Sequence, residues 1–485
     1  MLKRWIVIMS LITWSSFGFA GEVLRLTVGN IRPSDPHSME KFKSSIEQMQ
    51  RSRLQIIQFK GPIQASDRLQ LESRGLRVHA YIPDDAYIVE GSPEVLSRFA
   101  LEPRVNSVLP IPSAWKKSAD LPKVSIFNRD QQVALMVQLV DDQADSAFRK
   151  ALQNFSEVEI LAGEGKAYYL RIQLAQLDEL IRLDQVIWVQ TLAPMKLQYL
   201  DIPEYLGDGG NGDFGLTGDY TDLTGYESGT RIMGFEEAWQ RGLDGRGQLV
   251  AMADTGLDSG EVTTLLLDLR GRVAKGYSFG IGASSWSDPM GHGTHVAGSV
   301  ASHGAASGGL IRGGAFAAQF IPEGMWSPII DNLTVPPKLG KLFSAVYSDG
   351  ARIHTNSWGG GQLPGAYDSF AAQVDEYIWA NPDMLILFAA GNNGRDADKN
   401  GRIDENSMAS PGSAKNVLTV GASENFLNKG GIQRKLGELM GGDAWNVEPL
   451  GSDTLSNNAN GLAVFSSRGP CRDGRIKPDV VAPGT

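Results

Sequence analysis

Short apolar segments in the second half of the chain restrict its fold more than any other feature. Three of them read LVAMADTG at 249–256, MLILFAAGNNG at 384–394 and VLTVGAS at 417–423. Strands that are apolar at nearly every position are buried on both faces, as in parallel sheets covered by helices. Stretches with helical spacing, such as HGTHVAGSVA at 292–301, separate them. The sequence therefore predicts a doubly wound parallel α/β sheet within residues 229–485.

The first half of the chain contains an internal repeat with a different pattern. Residues 53–115 and 130–198, here called the first and second modules, each follow the order β-α-β-β-α-β, with Tyr87-Ile88 matching Tyr169-Leu170. This order is typical of ferredoxin-like α+β units. Neither copy contains a catalytic cluster, so both a binding module and a prodomain are compatible with it, and the position before the α/β half favours a prodomain. A linker rich in Gly, Asp and Tyr follows at 199–228.

The N-terminus has the pattern of a secretory signal peptide. MLKR is basic, WIVIMSLITWSSFGF is apolar, and Gly18-Phe19-Ala20 is a small-residue cleavage site, so residues 1–20 are predicted to be removed. Serines interrupt the apolar run, which is shorter than the ~20 residues that span a membrane. We therefore expect the mature chain, beginning with a lead-in at 21–52, to be secreted to the periplasm or the medium without a membrane anchor.

Composition excludes one class of partner and one source of stability. The formal net charge is −10 at pH 7, whereas nucleic-acid binding needs a basic surface. Cys471 is the only cysteine, so no disulfide can form within the chain. With 42% apolar residues, the chain is long enough to form a substantial core. We expect a globular protein that binds no nucleic acid and is stabilised by its core and by any bound ions.

Three polar residues lie at the ends of predicted elements. Asp254 ends a buried strand, His292 begins a small-residue helix, and Asn392 follows another strand in a glycine-flanked turn. Active groups gather at the carboxyl ends of parallel strands, where an acid can orient a histidine and an amide can stabilise an oxyanion. Two other interpretations stay open, because D-T-G at 254–256 is also the aspartic-protease signature and His292 with His295 has the spacing of a metal pair. The sequence contains no second D-T-G, which an aspartic protease needs.

Together these segments resemble the subtilisin-like serine proteases, or subtilases. The resemblance runs from GFEEAWQRGLDGRGQLVAMADTG to the last residue and is greatest to the bacterial oxidatively stable alkaline protease branch, through GARIHTNSWG and FSSRGPCRDGRIKPDVVAPGT. It implies that Asp254 is the triad acid, His292 the general base and Asn392 the oxyanion-hole donor. It also implies that two segments line the substrate groove: Ser357, Trp358, Gly359, Ala389, Ala390 and Gly391.

The resemblance further implies how the protein is made and what it binds. Its fold would be a subtilisin-like parallel sheet, incomplete at the C-terminus and preceded by two ferredoxin-like propeptide modules. Those modules would assist folding and act as an intramolecular inhibitor until they are removed. The other partners would be protein or peptide substrates, and the mature enzyme would be a monomer.

Ser407 is a candidate nucleophile, but the sequence around it argues against that role. ENSMASPG at 405–412 resembles the segment that carries the nucleophilic serine in subtilases, but Pro411 and Gly412 disfavour the helix that should follow Ser407. The resemblance instead implies that the nucleophile follows the terminal VAPGT segment, beyond residue 485. We therefore predict a serine endopeptidase, made as a proenzyme, whose serine is not in this chain. The alternative is an inactive peptide-binding pseudo-protease or a truncated gene product.

A candidate calcium loop follows the Asn392 turn. DADKNGRIDEN at 396–406 has the spacing of the start of an EF-hand loop, with a glycine for the sharp turn. The ligands would be Asp396, Asp398, Asn400, the Arg402 carbonyl and Asp404. Ser407 stands where a bidentate glutamate is expected, and a solvated acidic turn is the alternative interpretation. We expect structural Ca²⁺ and no organic cofactor.

Overall fold

A computed structural model describes most of the chain. The described residues are 23–26, 29–35, 53–118, 120–125, 127–192, 195–197, 224–361, 363–428, 433–439 and 442–485. The predicted signal peptide and most of the predicted lead-in and linker lie outside them. The chain divides into two compact units, Met1–Ala119 and Asp120–Thr485. The second module therefore belongs to the same unit as the α/β half.

The first unit contains an antiparallel sheet in the strand order β4-β5-β3-β6, with two helices, and a separate β1–β2 hairpin. Its elements are β1 (Leu24–Leu26), β2 (Gly29–Ile31), β3 (Leu54–Phe59), α1 (Ala65–Ser73), β4 (Arg77–Ile82), β5 (Ala86–Glu90), α2 (Pro93–Phe99) and β6 (Val105–Pro110). Helix α2 begins where sequence signals place it, because Pro93 is its first residue and the Ser92 hydroxyl accepts a hydrogen bond from Val95 N–H. This element order is the predicted ferredoxin-like one.

The second module repeats this architecture. Its elements are β7 (Gln132–Leu139), α3 (Asp145–Leu152), β8 (Glu159–Glu164), β9 (Ala167–Gln173), α4 (Leu177–Arg182) and β10 (Val186–Thr191), in the sheet order β10-β7-β9-β8. The predicted repeat is present, but the residue matching is wrong by one position. Tyr87 lies opposite Ile57, and Tyr168, not Tyr169, lies at the equivalent place opposite Val137. Because side chains alternate between faces, this shift places Tyr169 on the outer face of the sheet.

The α/β half is built on a seven-stranded sheet in which every neighbouring pair is parallel, in the order β13-β14-β12-β17-β19-β20-β21. The elements of this half, with the preceding strand β11, are β11 (Lys196–Leu197), α5 (Phe235–Gln240), β12 (Leu249–Asp254), β13 (Tyr277–Ser278), α6 (His292–Ala301), β14 (Gln319–Gly324), β15 (Trp326–Ser327), β16 (Asn332–Leu333), α7 (Gly340–Ser348), β17 (Ile353–Asn356), β18 (Trp358–Gly359), α8 (Ser369–Ala380), β19 (Leu385–Ala389), β20 (Leu418–Ser423) and β21 (Val480–Pro483).

Helices cover both faces of this sheet. On one face, residues of α6 pack with Val250 and Met252 of β12. On the other, residues of α7 and α8 pack with Ala251 and Ala253 of the same strand. Because consecutive β12 side chains enter two different cores, the strand is apolar at nearly every position, and the predicted doubly wound α/β sheet is confirmed. Within the described part of the chain, no helix has both the length and the apolar character needed to cross a membrane.

Candidate active site

The predicted site residues lie at the carboxyl ends of neighbouring strands of the parallel sheet. Asp254 is the last residue of β12 and is 0% exposed. In β17, Asn356 lies beside Ala253, and in β19, Phe388 lies beside Asn356, so the three strands end together. The segments that follow β17 and β19 therefore begin next to Asp254, as the ends of parallel strands require.

Asp254 and His292 are in direct contact. The distance between His292 Nδ1 and Asp254 Oδ1 is 2.6 Å, and the same carboxylate oxygen accepts a hydrogen bond from Thr255 N–H at 2.7 Å. The Asp254 carboxylate thus contacts a histidine and a threonine hydroxyl and not a second carboxylate, which contradicts the aspartic-protease interpretation. His295 is exposed one turn further along α6.

A close approach between α6 and the loop after β12 makes this contact possible. A Cβ atom added to Gly293 would lie 2.1 Å from the Gly256 carbonyl oxygen and 3.1 Å from Asp254 Cβ. Gly293 N–H also donates to the Thr255 hydroxyl at 2.9 Å. Glycine at 293 therefore lets the first turn of α6 reach the end of β12, and His292 reaches Asp254 as a result.

Asp288, which the sequence did not single out, joins these two elements. One of its carboxylate oxygens accepts hydrogen bonds from the Thr255 hydroxyl at 2.7 Å and from Gly291 N–H at 2.9 Å. The other accepts from Thr294 N–H at 2.8 Å and from the Thr294 hydroxyl at 2.6 Å. A single side chain thus connects the residue after Asp254 with both sides of His292. Aspartate before a predicted helix was the available signal, but its contact with Thr255 depends on the tertiary structure.

Asn392 lies in the turn after β19, as predicted. Its side-chain Nδ2 is buried and has no hydrogen-bond partner in the described part of the chain. Ser467 holds the turn on both sides, because Ser467 N–H donates to the Gly391 carbonyl at 2.8 Å and Asn393 N–H donates to the Ser467 hydroxyl at 3.1 Å. A fixed amide donor without a partner suits an atom that is to bind a charge formed during a reaction.

The predicted groove segments, Ser357–Gly359 and Ala389–Gly391, follow neighbouring strand ends. Trp358 is fully buried, and its indole donates to the Ala253 carbonyl at 3.0 Å. The backbone of Trp358 and Gly359 already pairs with an extended segment of this chain. Strand β11 lies antiparallel to β18, with Lys196 opposite Gly359 and Leu197 opposite Trp358. This edge therefore accepts a peptide in the extended conformation.

The second module also packs on helices α7 and α8. Met136, Tyr169 and Met195 are buried in the same apolar cluster as residues of these helices. Three ion pairs surround this contact: Lys166 with Glu376 at 2.6 Å, Lys338 with Asp142 at 3.2 Å, and Lys341 with Glu164. Tyr169 lies on the outer face of the module's sheet, and this face is the one that contacts the α/β half.

Ser407 is not placed as a nucleophile. It is 8% exposed, its hydroxyl accepts a hydrogen bond from Arg468 N–H at 2.8 Å, and the hydroxyl oxygen lies 3.4 Å from the Arg468 carbonyl. Its side chain therefore holds two backbone segments together.

The structure brings together three of the five predicted calcium ligands. Carboxylate oxygens of Asp396, Asp398 and Asp404 lie within 4.8 Å of one another. Burial acts to raise the pKa of Asp396, but backbone N–H groups of Gly401 and Asn400 hold that pKa below its ordinary value. The side-chain oxygen of Asn400 accepts a hydrogen bond from Arg402 N–H at 2.9 Å, so these two residues shape the loop. A set of hard oxygen donors fits Ca²⁺.

The second half of the chain is similar to known peptidases. The model of the subtilase family of peptidases (Peptidase_S8) matches residues 245–485, and a domain of unknown function, DUF8729, matches residues 25–112. Serine protease AprX of Bacillus subtilis is 30% identical over 251 residues, which are 50% of this chain and 47% of AprX. The serine protease/ABC transporter B family protein tagD of Dictyostelium discoideum is 29% identical over 315 residues, 50% of this chain and 16% of tagD.

The chain thus spans less than half of the length of these relatives. Among solved structures, the epidermin leader peptide processing serine protease of Staphylococcus aureus is 14% identical, with a TM-score of 0.44, over 73% of this chain and 75% of that one. The match to the family model covers the strand end at Asp254, the helix that begins at His292 and the turn at Asn392. Residues 245–485 of the chain therefore form a domain that belongs to the subtilase family of serine peptidases.

Proposed function

We propose that the protein is a secreted serine endopeptidase, made as a proenzyme and exported by residues 1–20. The observation that supports this most strongly is the 2.6 Å contact between Asp254 and His292 at the sheet edge that also carries Asn392. Its nucleophilic serine would lie on polypeptide beyond residue 485. An inactive peptide-binding protein would also use the β18 edge, but it would not need this buried acid–histidine pair.

Asp254, His292 and Asn392 would each have a separate role in peptide hydrolysis. Asp254 accepts a hydrogen bond from His292 Nδ1–H, which fixes the tautomer and leaves Nε2 to take the serine proton. The serine oxygen then bonds to the peptide carbonyl carbon, and Asn392 Nδ2 donates to the oxygen that becomes negative. The peptide C–N bond then breaks as His292 returns the proton to the leaving amine. In the second half of the reaction, His292 takes a proton from water as the water oxygen bonds to the acyl carbon, and it gives that proton to the serine oxygen as the acyl–serine bond breaks.

Kinetics of single variants in the full-length protease test this assignment. His292→Ala is expected to lower kcat by about 10⁴-fold or more. Asn392→Ala is expected to lower kcat by about 10²–10³-fold with KM unchanged, the cost known for the equivalent amide in a member of this family. Peptidase activity that survives His292→Ala would refute the proposal.

We also propose that the second module is an intramolecular inhibitor. Strand β11 pairs with the β18 backbone that would bind substrate, and the module is held against α7 and α8 by apolar contact and three ion pairs. Unprocessed full-length protease should therefore have less activity towards a small peptide substrate than the processed enzyme. Equal activity of the two forms would contradict inhibition by this module.

Finally, we propose that Asp396, Asp398 and Asp404 bind structural Ca²⁺. The proximity of their carboxylate oxygens supports this. The three carboxylates would hold the ion, whose charge would offset their mutual repulsion in a loop that begins four residues beyond Asn392. We also propose that the mature protein is a monomer and that its substrates are proteins or peptides.

A further inference from the structure

A separate segment of the chain packs against the turn that carries Asn392. This segment, here called the clamp, comprises the described residues 433–439 and 442–467. It forms a small apolar cluster of its own with Ile403; the buried members are Leu436, Leu439, Trp445, Leu455, Ala463, Val464 and Phe465. Trp445 is 2% exposed and is the largest of them. The clamp therefore has an apolar core of its own, to which the Trp445 ring contributes the largest side chain.

The clamp holds Gly394 from two sides. The Trp445 indole N–H donates to the Gly394 carbonyl at 3.1 Å, and Gly394 N–H donates to the Phe465 carbonyl at 2.8 Å. Two residues further on, Asp396 N–H donates to the Ala444 carbonyl at 2.9 Å. A Cβ atom added to Gly394 would lie 2.2 Å from the Val464 carbonyl oxygen. The turn thus lies against the clamp with no space between them.

These contacts fix the backbone on both sides of Asn392. The carbonyl of Gly391, directly before Asn392, accepts a hydrogen bond from Ser467 N–H. The carbonyl of Gly394, two residues after Asn392, accepts one from the Trp445 indole. The Asn392 Nδ2 atom has no hydrogen-bond partner among the described residues, so no side-chain contact at that atom aims it. The orientation of the Asn392 amide therefore depends on the backbone of the turn. A donor stabilises a developing charge well only if it already points towards the place where that charge forms.

We propose that Trp445 is a positioning residue for peptide hydrolysis, acting through Asn392. The indole N–H holds the Gly394 carbonyl, and the ring anchors this end of the turn to the clamp core. Because Trp445 is 2% exposed, it would act without contacting the substrate. The inference rests on the proposed role of Asn392, and it identifies the residue that keeps the oxyanion donor in place.

The test is a double-mutant cycle in the full-length protease. Trp445→Phe keeps an aromatic ring but removes the donor to Gly394. Loss of the whole oxyanion amide costs about 10²–10³-fold in this family, so a displaced amide should cost less, about 3- to 30-fold in kcat, with KM unchanged. The same substitution should have little further effect in an Asn392→Ala background, because the group it positions is then absent.

A matched control is available in Trp239, whose indole donates to the Gly314 carbonyl at 2.9 Å. Trp239→Phe removes the same kind of hydrogen bond and should change kcat by less than about twofold. If Trp445→Phe does not fold, Leu455→Val in the same cluster is the milder substitution, and its smaller kcat loss should also vanish with Asn392→Ala.

The outcomes separate the two proposals. An unchanged kcat in Trp445→Phe, or an equal loss with and without Asn392, would overturn the positioning role. An equal loss in Trp239→Phe would overturn it as well. If Asn392→Ala alone leaves kcat unchanged, it is the proposed oxyanion role that fails, whatever Trp445 does.

Discussion

Substitution of Asp288 by asparagine is a precise test of how the site is built. The Asp288 carboxylate accepts five hydrogen bonds, from the Thr255 hydroxyl, from Met290 and Gly291 N–H, and from the N–H and hydroxyl of Thr294. The asparagine oxygen can replace the first three acceptor contacts. Its NH₂ group must then face Thr294 N–H, so that backbone donor loses its acceptor.

The expected cost follows from these contacts. A buried donor left without its acceptor costs about 1–3 kcal/mol. Loss of a negative charge beside the first turn of α6 adds about 0.3–1 kcal/mol. We therefore expect Asp288→Asn to lower the free energy of unfolding by about 1–4 kcal/mol. Because His292 begins the same turn, we also expect kcat to fall by about 10- to 100-fold with KM unchanged.

Chemical denaturation and steady-state kinetics on a peptide substrate measure the two effects. Asp244→Asn is the control, because Asp244 also accepts a backbone N–H, from Arg246 at 3.0 Å, but precedes β12 at the end opposite Asp254. The control should leave kcat within about twofold of wild type. A kcat that Asp288→Asn leaves unchanged would refute a positioning role for the carboxylate, even if stability falls.

Three further predictions concern inhibition, calcium and pH. Lys341→Glu should weaken docking of the second module by about 0.2–1 kcal/mol and raise the activity of the unprocessed enzyme, and Glu164→Lys in the same chain should restore inhibition; no rescue would argue against this ion pair. A chelator should lower Tm by about 5–10 °C, and this drop should shrink in Asp398→Asn; an unchanged Tm would contradict structural Ca²⁺. Glu323 and His354 are fully buried, and the distance between Glu323 Oε2 and His354 Nε2 is 2.7 Å. Burial raises the pKa of Glu323 well above its usual value and lowers the pKa of His354 to about 3. A carboxyl group whose pKa is higher in the folded than in the unfolded protein lowers the stability once the pH exceeds its pKa in the unfolded chain. Glu323→Gln should therefore raise Tm more at pH 8 than at pH 5. An equal change in Tm at both pH values would contradict this effect of Glu323.

The parallel sheet was predictable because burial on both faces leaves a direct record in the sequence. Strand β12 contributes alternate side chains to two cores, so LVAMA is apolar without interruption, and the polar residue after it marks the sheet edge. The same logic located Asn392 after β19. Short-range patterns were sufficient wherever an element and its end determine the position of a residue.

Long-range contacts were not predictable in this way. Asp288 reads as a turn residue before a helix, and only the fold places Thr255 within 2.7 Å of it. Trp445 lies 51 positions after Gly394 in the sequence, so no local pattern connects them. The repeat matching failed for a different reason, since adjacent tyrosines at 168 and 169 fit one periodic pattern equally well, and only strand register decides which one faces the module core.

The most direct test of the proposed site is to find the residue that a fluorophosphonate modifies in the full-length protease, with His292→Ala as the comparison. We expect one modified serine, located beyond residue 485, with loss of activity on modification and no labelling in the variant. An enzyme that stays active and unlabelled, or a label on Ser407, would contradict the assignment of Asp254 and His292 to a serine peptidase site completed by a later serine.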